Sequence, residues 1–156
     1  MNSYQRIFGT GPRGTLISLT LLLLTYYLEP VTGLPEIHGS LYFGRVFFVL
    51  TVVLTVSLVV WSVKSLPPAN RGRKLVTGGA FKFFRHPLYA AFLLFFNFGL
   101  AVLLDNWIYI IWAVVQHPVW HLNMAREEAL VRDVFGSEYD RYCAVTGRFF
   151  PKRGAA

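Results

Sequence analysis

Phe43 to Val63 is an apolar run of some twenty residues whose one charge, Arg45, stands near its start. A segment like this has few structures open to it. About 20 residues at 1.5 Å per residue cover the roughly 30 Å of hydrocarbon in a bilayer. Backbone N–H and C=O groups in lipid find no water, so a crossing segment satisfies them internally, as a helix does. Leu88 to Leu104 is uncharged and long enough to cross, and Trp107 to Leu122 follows, interrupted by His117, Pro118 and His121. A shorter run, Leu16 to Leu28, lies behind Arg6 and Arg13 like the apolar stretch of a signal peptide. It is followed by Tyr26, Tyr27 and Glu29 with no small-x-small cleavage pattern, and is expected to be an uncleaved first span. Only Asp105 and Asn106 separate the last two spans, which predicts a tight antiparallel hairpin. The expectation is an all-α integral membrane protein, one domain over residues 1–156 with about four transmembrane helices. Two spans fall in 1–63, the hairpin is C-terminal, and a short cytoplasmic tail helix follows it.

Charge decides between the partners open to a basic chain. The net charge is +7, which suits either nucleic acid or an anionic membrane surface. With 54% hydrophobic and only 15% charged residues, against about 25% charged in soluble domains, the bilayer is the partner and nucleic acid is excluded. The segment from Lys64 to Arg85 holds six Lys or Arg and no acid, and the chain beyond Asn123 holds six more. The loop from Glu29 to Tyr42 has two acids and no Lys or Arg. The positive-inside rule therefore puts both termini and the middle loop in the cytoplasm of a multi-pass protein. Cys143 is the single cysteine, so no intrachain disulfide forms.

Chemistry-bearing residues gather at the cytoplasmic helix ends. Arg85-His86-Pro87-Leu88-Tyr89 stands at the mouth of the third span, where Pro87 suits the first helical turn. From physics alone, a snorkelling arginine with interfacial aromatics explains this cluster equally well. Just before it, Val76 to Phe84, rich in Gly and Phe, is expected at the lipid interface. Asn123 to Phe135 reads as a helix leaving the fourth span and stopped by Gly136. On its wheel Leu130, Val131, Val134 and Phe135 form an apolar stripe with Glu127 near the centre and Glu128 at the edge. A buried carboxylate needs a partner, so Glu127 is the stronger physical pointer to a site. Glu128 has a bland reading as the partner of Arg132 four residues on. His117 and His121 share a helix face, but too few further ligands surround them for a metal centre, and none is expected. Phe135, Tyr139, Tyr142, Phe149 and Phe150 read first as packing and interface anchors. No Walker loop, dinucleotide fingerprint or Ser/Cys nucleophile motif is present.

One combination is more specific than its pieces. Gly79-Ala80-Phe81 and Arg85-His86-Pro87-x-Tyr89 precede the hairpin. Arg126-Glu127-Glu128, Leu130, Phe135-Gly136-Ser137-Glu138-Tyr139, Tyr142, Arg148 and Pro151 follow it. This order over residues 75–152 resembles the isoprenylcysteine carboxyl methyltransferase and phospholipid methyltransferase family. The resemblance implies S-adenosylmethionine as cofactor, held on the cytoplasmic side by His86, Pro87, Tyr89, Glu128 and Tyr139. It implies Arg85, Glu127 and Glu128 as catalytic residues and a lipid-like or prenylated acceptor entering from the bilayer. A sulfonium cation and an adenine ring suit aromatic faces, and the cofactor's ammonium and hydroxyls suit carboxylates. A carboxylate acceptor needs a clamp such as Arg85, and an amine acceptor needs a base such as Glu127 or Glu128. The first expectation is a prenylated-cysteine carboxylate, then a phospholipid amine, with a small thiol or isoprenoid behind. A homodimer would complete a pocket in so small a protein, although no motif demands one.

Two rivals come from other classes. An NADPH-dependent membrane reductase of the sterol-reductase type would use the basic loop Arg71 to Lys74 for the nucleotide's 2′-phosphate. A non-enzymatic membrane scaffold would carry the carboxylate pair as structure. Cofactor binding separates all three readings.

Overall fold

The computed structural model describes residues 11–67 and 74–152. Arg71 and Arg73 of the expected basic loop, and Arg6 near the first span, lie outside the described residues. Five helices follow in order: α1 (Gly11–Thr32), α2 (Leu41–Ser65), α3 (Pro87–Leu104), α4 (Trp107–Phe135) and α5 (Ser137–Val145). Among the described residues there is no strand, only two isolated bridges, Glu36 with Asn106 and Phe84 with Gly147. The protein is an all-α membrane protein.

Among the described residues three helices, α1, α2 and α3, are long and apolar enough to cross a bilayer. α4 is the longest at 29 residues. Gln116, His117, His121 and Asn123 lower its hydropathy, but its first half runs back along α3 from a two-residue turn. That turn is built by backbone chemistry. Asp105 takes the left-handed conformation at φ 55°, which a short polar side chain tolerates. Asn106 then caps α4, its side chain accepting from Ile108 N at 3.0 Å. The same two residues staple the α1–α2 loop: Asp105 Oδ1 accepts from Ile37 N and His38 N at 3.0 and 2.9 Å, and Asn106 Nδ2 donates to Leu34 O at 3.0 Å.

The spans solve the polar-group problem of lipid locally. On α2, Thr51, Thr55, Ser57, Ser62 and Ser65 donate their hydroxyls to carbonyls three or four residues back. Small residues let helices close in. A Cβ on Gly99 would meet the Thr51 hydroxyl at 1.8 Å, and one on Gly14 would meet Trp120 and Asn123 under 3.0 Å. Outward faces stay apolar, as lipid requires. On α1 only Gly11 and Gly14 are buried, and Leu19, Leu23, Tyr27 and Val31 are exposed.

α3 holds a feature with no mark in its hydropathy. Phe92–Phe96 forms a π turn, one residue wider than the α turns on either side. It shifts the register between Tyr89 and Asn97, and such turns concentrate at functional sites.

Candidate active site

The segment before α3 packs against α2 and leads into Arg85 and His86. Gly79–Lys82 forms a 3₁₀ turn against α2, with Ala80 and Phe84 buried. The C-terminal segment holds it there. Tyr142 donates its hydroxyl to Phe81 O at 2.6 Å, Arg85 N donates to Gly147 O at 2.8 Å, and His86 N donates to Arg148 O at 3.2 Å. The backbone before α3 and the strap after α5 are thus zipped together, which aims Arg85, His86 and Arg148 at one point on α4.

That point is Glu128, 5% exposed. Its Oε1 accepts from Arg85 Nε at 2.9 Å, Arg148 Nε at 2.9 Å and His86 Nε2 at 3.2 Å. Its Oε2 accepts from Arg148 Nη2 and, at 3.4 Å, from Arg85 Nη2. The remaining guanidinium nitrogens are also engaged: Arg85 Nη1 with Thr146 O at 2.6 Å, and Arg148 Nη1 with His121 O and Nδ1 at 2.8 and 3.0 Å. Burial pushes the Glu128 carboxyl up. The bonds from His86, Arg148 and Arg85 outweigh it and hold the group far below the usual carboxylate range. For Arg85, burial pulls the guanidinium down and Glu128 more than restores it. Tyr139 is buried beside the cluster, and its phenol is pushed up by burial and by the Glu128 charge.

The wheel reading of the two glutamates is reversed. Glu128 is buried and Glu127 only half-buried, while Leu130 and Val134 are exposed. The wheel equates apolar with buried, but beside lipid an apolar stripe faces outward. The inner face of α4 is instead Trp112, Gln116, Trp120, Met124 and Glu128, repeated every four residues.

Pro87 opens α3 at its first position and is buried. Two residues on, the Tyr89 ring lies tilted against Trp120 with ring centroids 4.6 Å apart, and 6.1 Å from His86. A groove of about 270 Å³ begins at this aromatic pair and runs between α1, α3 and α4. Leu88 to Leu100 lines it along α3, about 18 Å of helix at 1.5 Å per residue, with Phe92 and Phe96 of the π turn in the wall. The groove is almost wholly apolar and runs from the Tyr89–Trp120 pair along the membrane-spanning part of α3.

A family model for phospholipid methyltransferases matches residues 39–138, from the loop before α2 to the start of α5. The chain belongs to the phospholipid methyltransferase family. It is a membrane methyltransferase, and the match takes in Arg85, His86, Pro87, Tyr89, Glu127 and Glu128. It also takes in α2, which lies outside the 75–152 core read from the sequence. No curated protein matches the chain.

Sequence reasoning gave no role to several residues of this methyltransferase's site. Arg148 is as closely bound to Glu128 as Arg85 is, yet it sits twenty residues away in a segment without a hydropathy signal. Trp120 and Ser18 are invisible as a pair: Trp120 Nε1 donates to Ser18 Oγ at 2.9 Å, and Ser18 donates to Gln116 Oε1 at 2.7 Å. The four-residue spacing of Trp112, Gln116 and Trp120 was the available signal. His117 and His121 serve the strap, His117 stacked on Phe150 at 5.2 Å and His121 edge-on to Phe149 at 4.9 Å.

Proposed function

We propose that the protein transfers a methyl group from S-adenosylmethionine to the amine head group of a lipid whose chain lies in the groove. The observation that carries this reading is the apolar groove ending at Tyr89 and Trp120, beside a cluster with two guanidiniums to one carboxylate.

The residues present fit such a cofactor. The buried Asn123 Nδ2 has no partner and sits beside Trp120, where it can donate to an oxygen of the cofactor. Tyr89, Trp120 and His86 offer aromatic faces to a sulfonium and an adenine ring. When bound, S-adenosylmethionine supplies an electrophilic methyl group on sulfur. The protein's part is to align acceptor and methyl and to exclude water, which supplies most of the acceleration in an in-line displacement.

The arginines favour an amine over a carboxylate acceptor. All three nitrogens of Arg85 and of Arg148 are already engaged, so neither presents an open fork to a carboxylate. Glu128, held ionised by them, is a poor proton acceptor and a good positioning residue. An ammonium head group must lose a proton before it attacks. Glu127, half-buried and next to Glu128 on α4, is the carboxylate for that step.

Titration of the detergent-purified protein with S-adenosylhomocysteine and NADPH tests the class. Saturable binding of the first and not the second is expected, and the reverse would move the protein among the reductases. With labelled donor, phosphatidylethanolamine should be methylated and farnesylcysteine should not. Glu127→Gln should lower kcat by about 100-fold, as for loss of a general base, and flatten the acid limb of the rate profile. An unchanged profile would remove Glu127 from that role.

A further inference from the structure

Away from the groove, two lysines frame one aromatic pair where α2 ends. The Trp61 and Phe83 ring centroids are 5.8 Å apart, and Trp61 is 43% exposed. Lys82 Nζ lies 6.0 Å from the Phe83 centroid, at the outer reach of a cation–π contact. Lys64 follows Trp61 by three residues and so shares its face of the last turn of α2. Both lysines are exposed, and among the described residues neither has an acidic partner. The whole segment from Lys64 to Arg85 holds no acid that could neutralise them.

The corner is held in place from both sides. Ala80 N donates to Ser65 Oγ at 3.1 Å, next to Lys64, and Tyr142 donates to Phe81 O at 2.6 Å, next to Lys82. Two ammoniums without counter-charge call for an anion. The aromatic pair calls for an apolar partner beside it, because α2 is long and apolar enough to cross the bilayer and Trp61 stands in its last turns, where interfacial tryptophans gather. A soluble anion meets the first demand and not the second. A zwitterionic lipid brings a cation of its own to the lysines. An anionic phospholipid meets both demands, with its phosphate at the lysines and its glycerol and upper chains against Trp61 and Phe83.

We propose that Lys64, Lys82 and the Trp61–Phe83 pair form a site for an anionic phospholipid taken from the surrounding leaflet. It is separate from the groove, which no residue of α2 lines. A lipid held there fastens the backbone that leads from Lys82 to Arg85 and His86, so the charge of the leaflet acts on the segment that carries the cluster.

The test is native mass spectrometry of the detergent-purified protein titrated with phosphatidylglycerol or phosphatidylcholine, with thermal unfolding followed in parallel. Phosphatidylglycerol should bind the wild type more tightly and raise its unfolding midpoint, as a ligand of the folded state does. Lys64→Gln and Lys82→Gln should each weaken that binding about fivefold, the factor for one lysine beside an anionic surface. The double variant should bind both lipids equally and lose the stabilisation. Arg13→Gln with Arg141→Gln removes the same charge elsewhere and should leave the preference intact. Equal binding of the two lipids by the wild type, a preference that survives in the Lys64→Gln, Lys82→Gln variant, or an equal loss in the arginine control would overturn the site. Displacement of the lipid by glycerol 1-phosphate or an acidic peptide would also overturn it, since the occupant would then be a soluble anion. None of these outcomes touches the choice of methyl donor or acceptor.

Discussion

At Glu128 a buried carboxylate meets two guanidiniums and an imidazole, so its removal leaves cations facing one another in a space built for an anion. Breaking a buried pair in this way costs about 3–5 kcal/mol, and Glu128→Gln should lower the thermal unfolding midpoint accordingly. The same residue gives the stability a pH dependence with a definite sign. The folded carboxyl is held below its ordinary value of 4.5, so the unfolded chain binds that proton more readily. Its contribution is full above about pH 4.5 and is lost as the pH falls toward the folded-state value. Unfolding followed from pH 7 downward should show this loss in the wild type and not in Glu128→Gln. An identical acid limb in both would show that other carboxylates govern it.

Helix-to-helix contact in the spans depends on missing side chains as much as on present ones. Gly99 on α3 leaves room for Thr51 on α2, and even a methyl group there would collide with the threonine hydroxyl. Gly99→Ala should destabilise by about 1–3 kcal/mol through overpacking, measured by thermal unfolding in detergent. Thr51→Ala in the same chain removes the nearest colliding atom and should recover part of the loss. No recovery would mean that the two helices do not meet there. The π turn acts at the same scale. It places Phe92 and Phe96 in the groove wall between Tyr89 and Asn97.

Across the whole molecule the charged cluster and the hairpin turn lie at opposite ends of α3 and α4. If the positive-inside expectation holds, the cluster faces the cytoplasm and the Asp105 turn faces away. Cys143, the single cysteine, lies on α5 at the cluster end. A membrane-impermeant maleimide should label it only from the cytoplasmic side. In a Cys143→Ala background, Glu36→Cys in the α1–α2 loop should be labelled only from the other side. Labelling of both from one side would overturn the topology. The strap after α5 joins these scales, because Arg148, Phe149 and Phe150 tie the last described residues to α4 and to the segment before α3.

Residues 43–63 and 88–104 determined the class of fold by themselves, because long apolar runs with at most one charge leave a chain little choice but to cross lipid as helices. The Asp105–Asn106 turn, the helix start at Pro87 and the stop at Gly136 were equally legible, since each rests on local backbone chemistry. Which glutamate is buried was decided only by tertiary structure. An apolar stripe says where lipid or core lies but not which of the two, and the inner face of α4 is polar and aromatic. The union of Arg85 with Arg148, the Trp120–Ser18–Gln116 chain and the groove that these helices enclose are likewise products of packing. They join residues from distant parts of the chain, and no local pattern records which side chains will meet when three helices close around a common space.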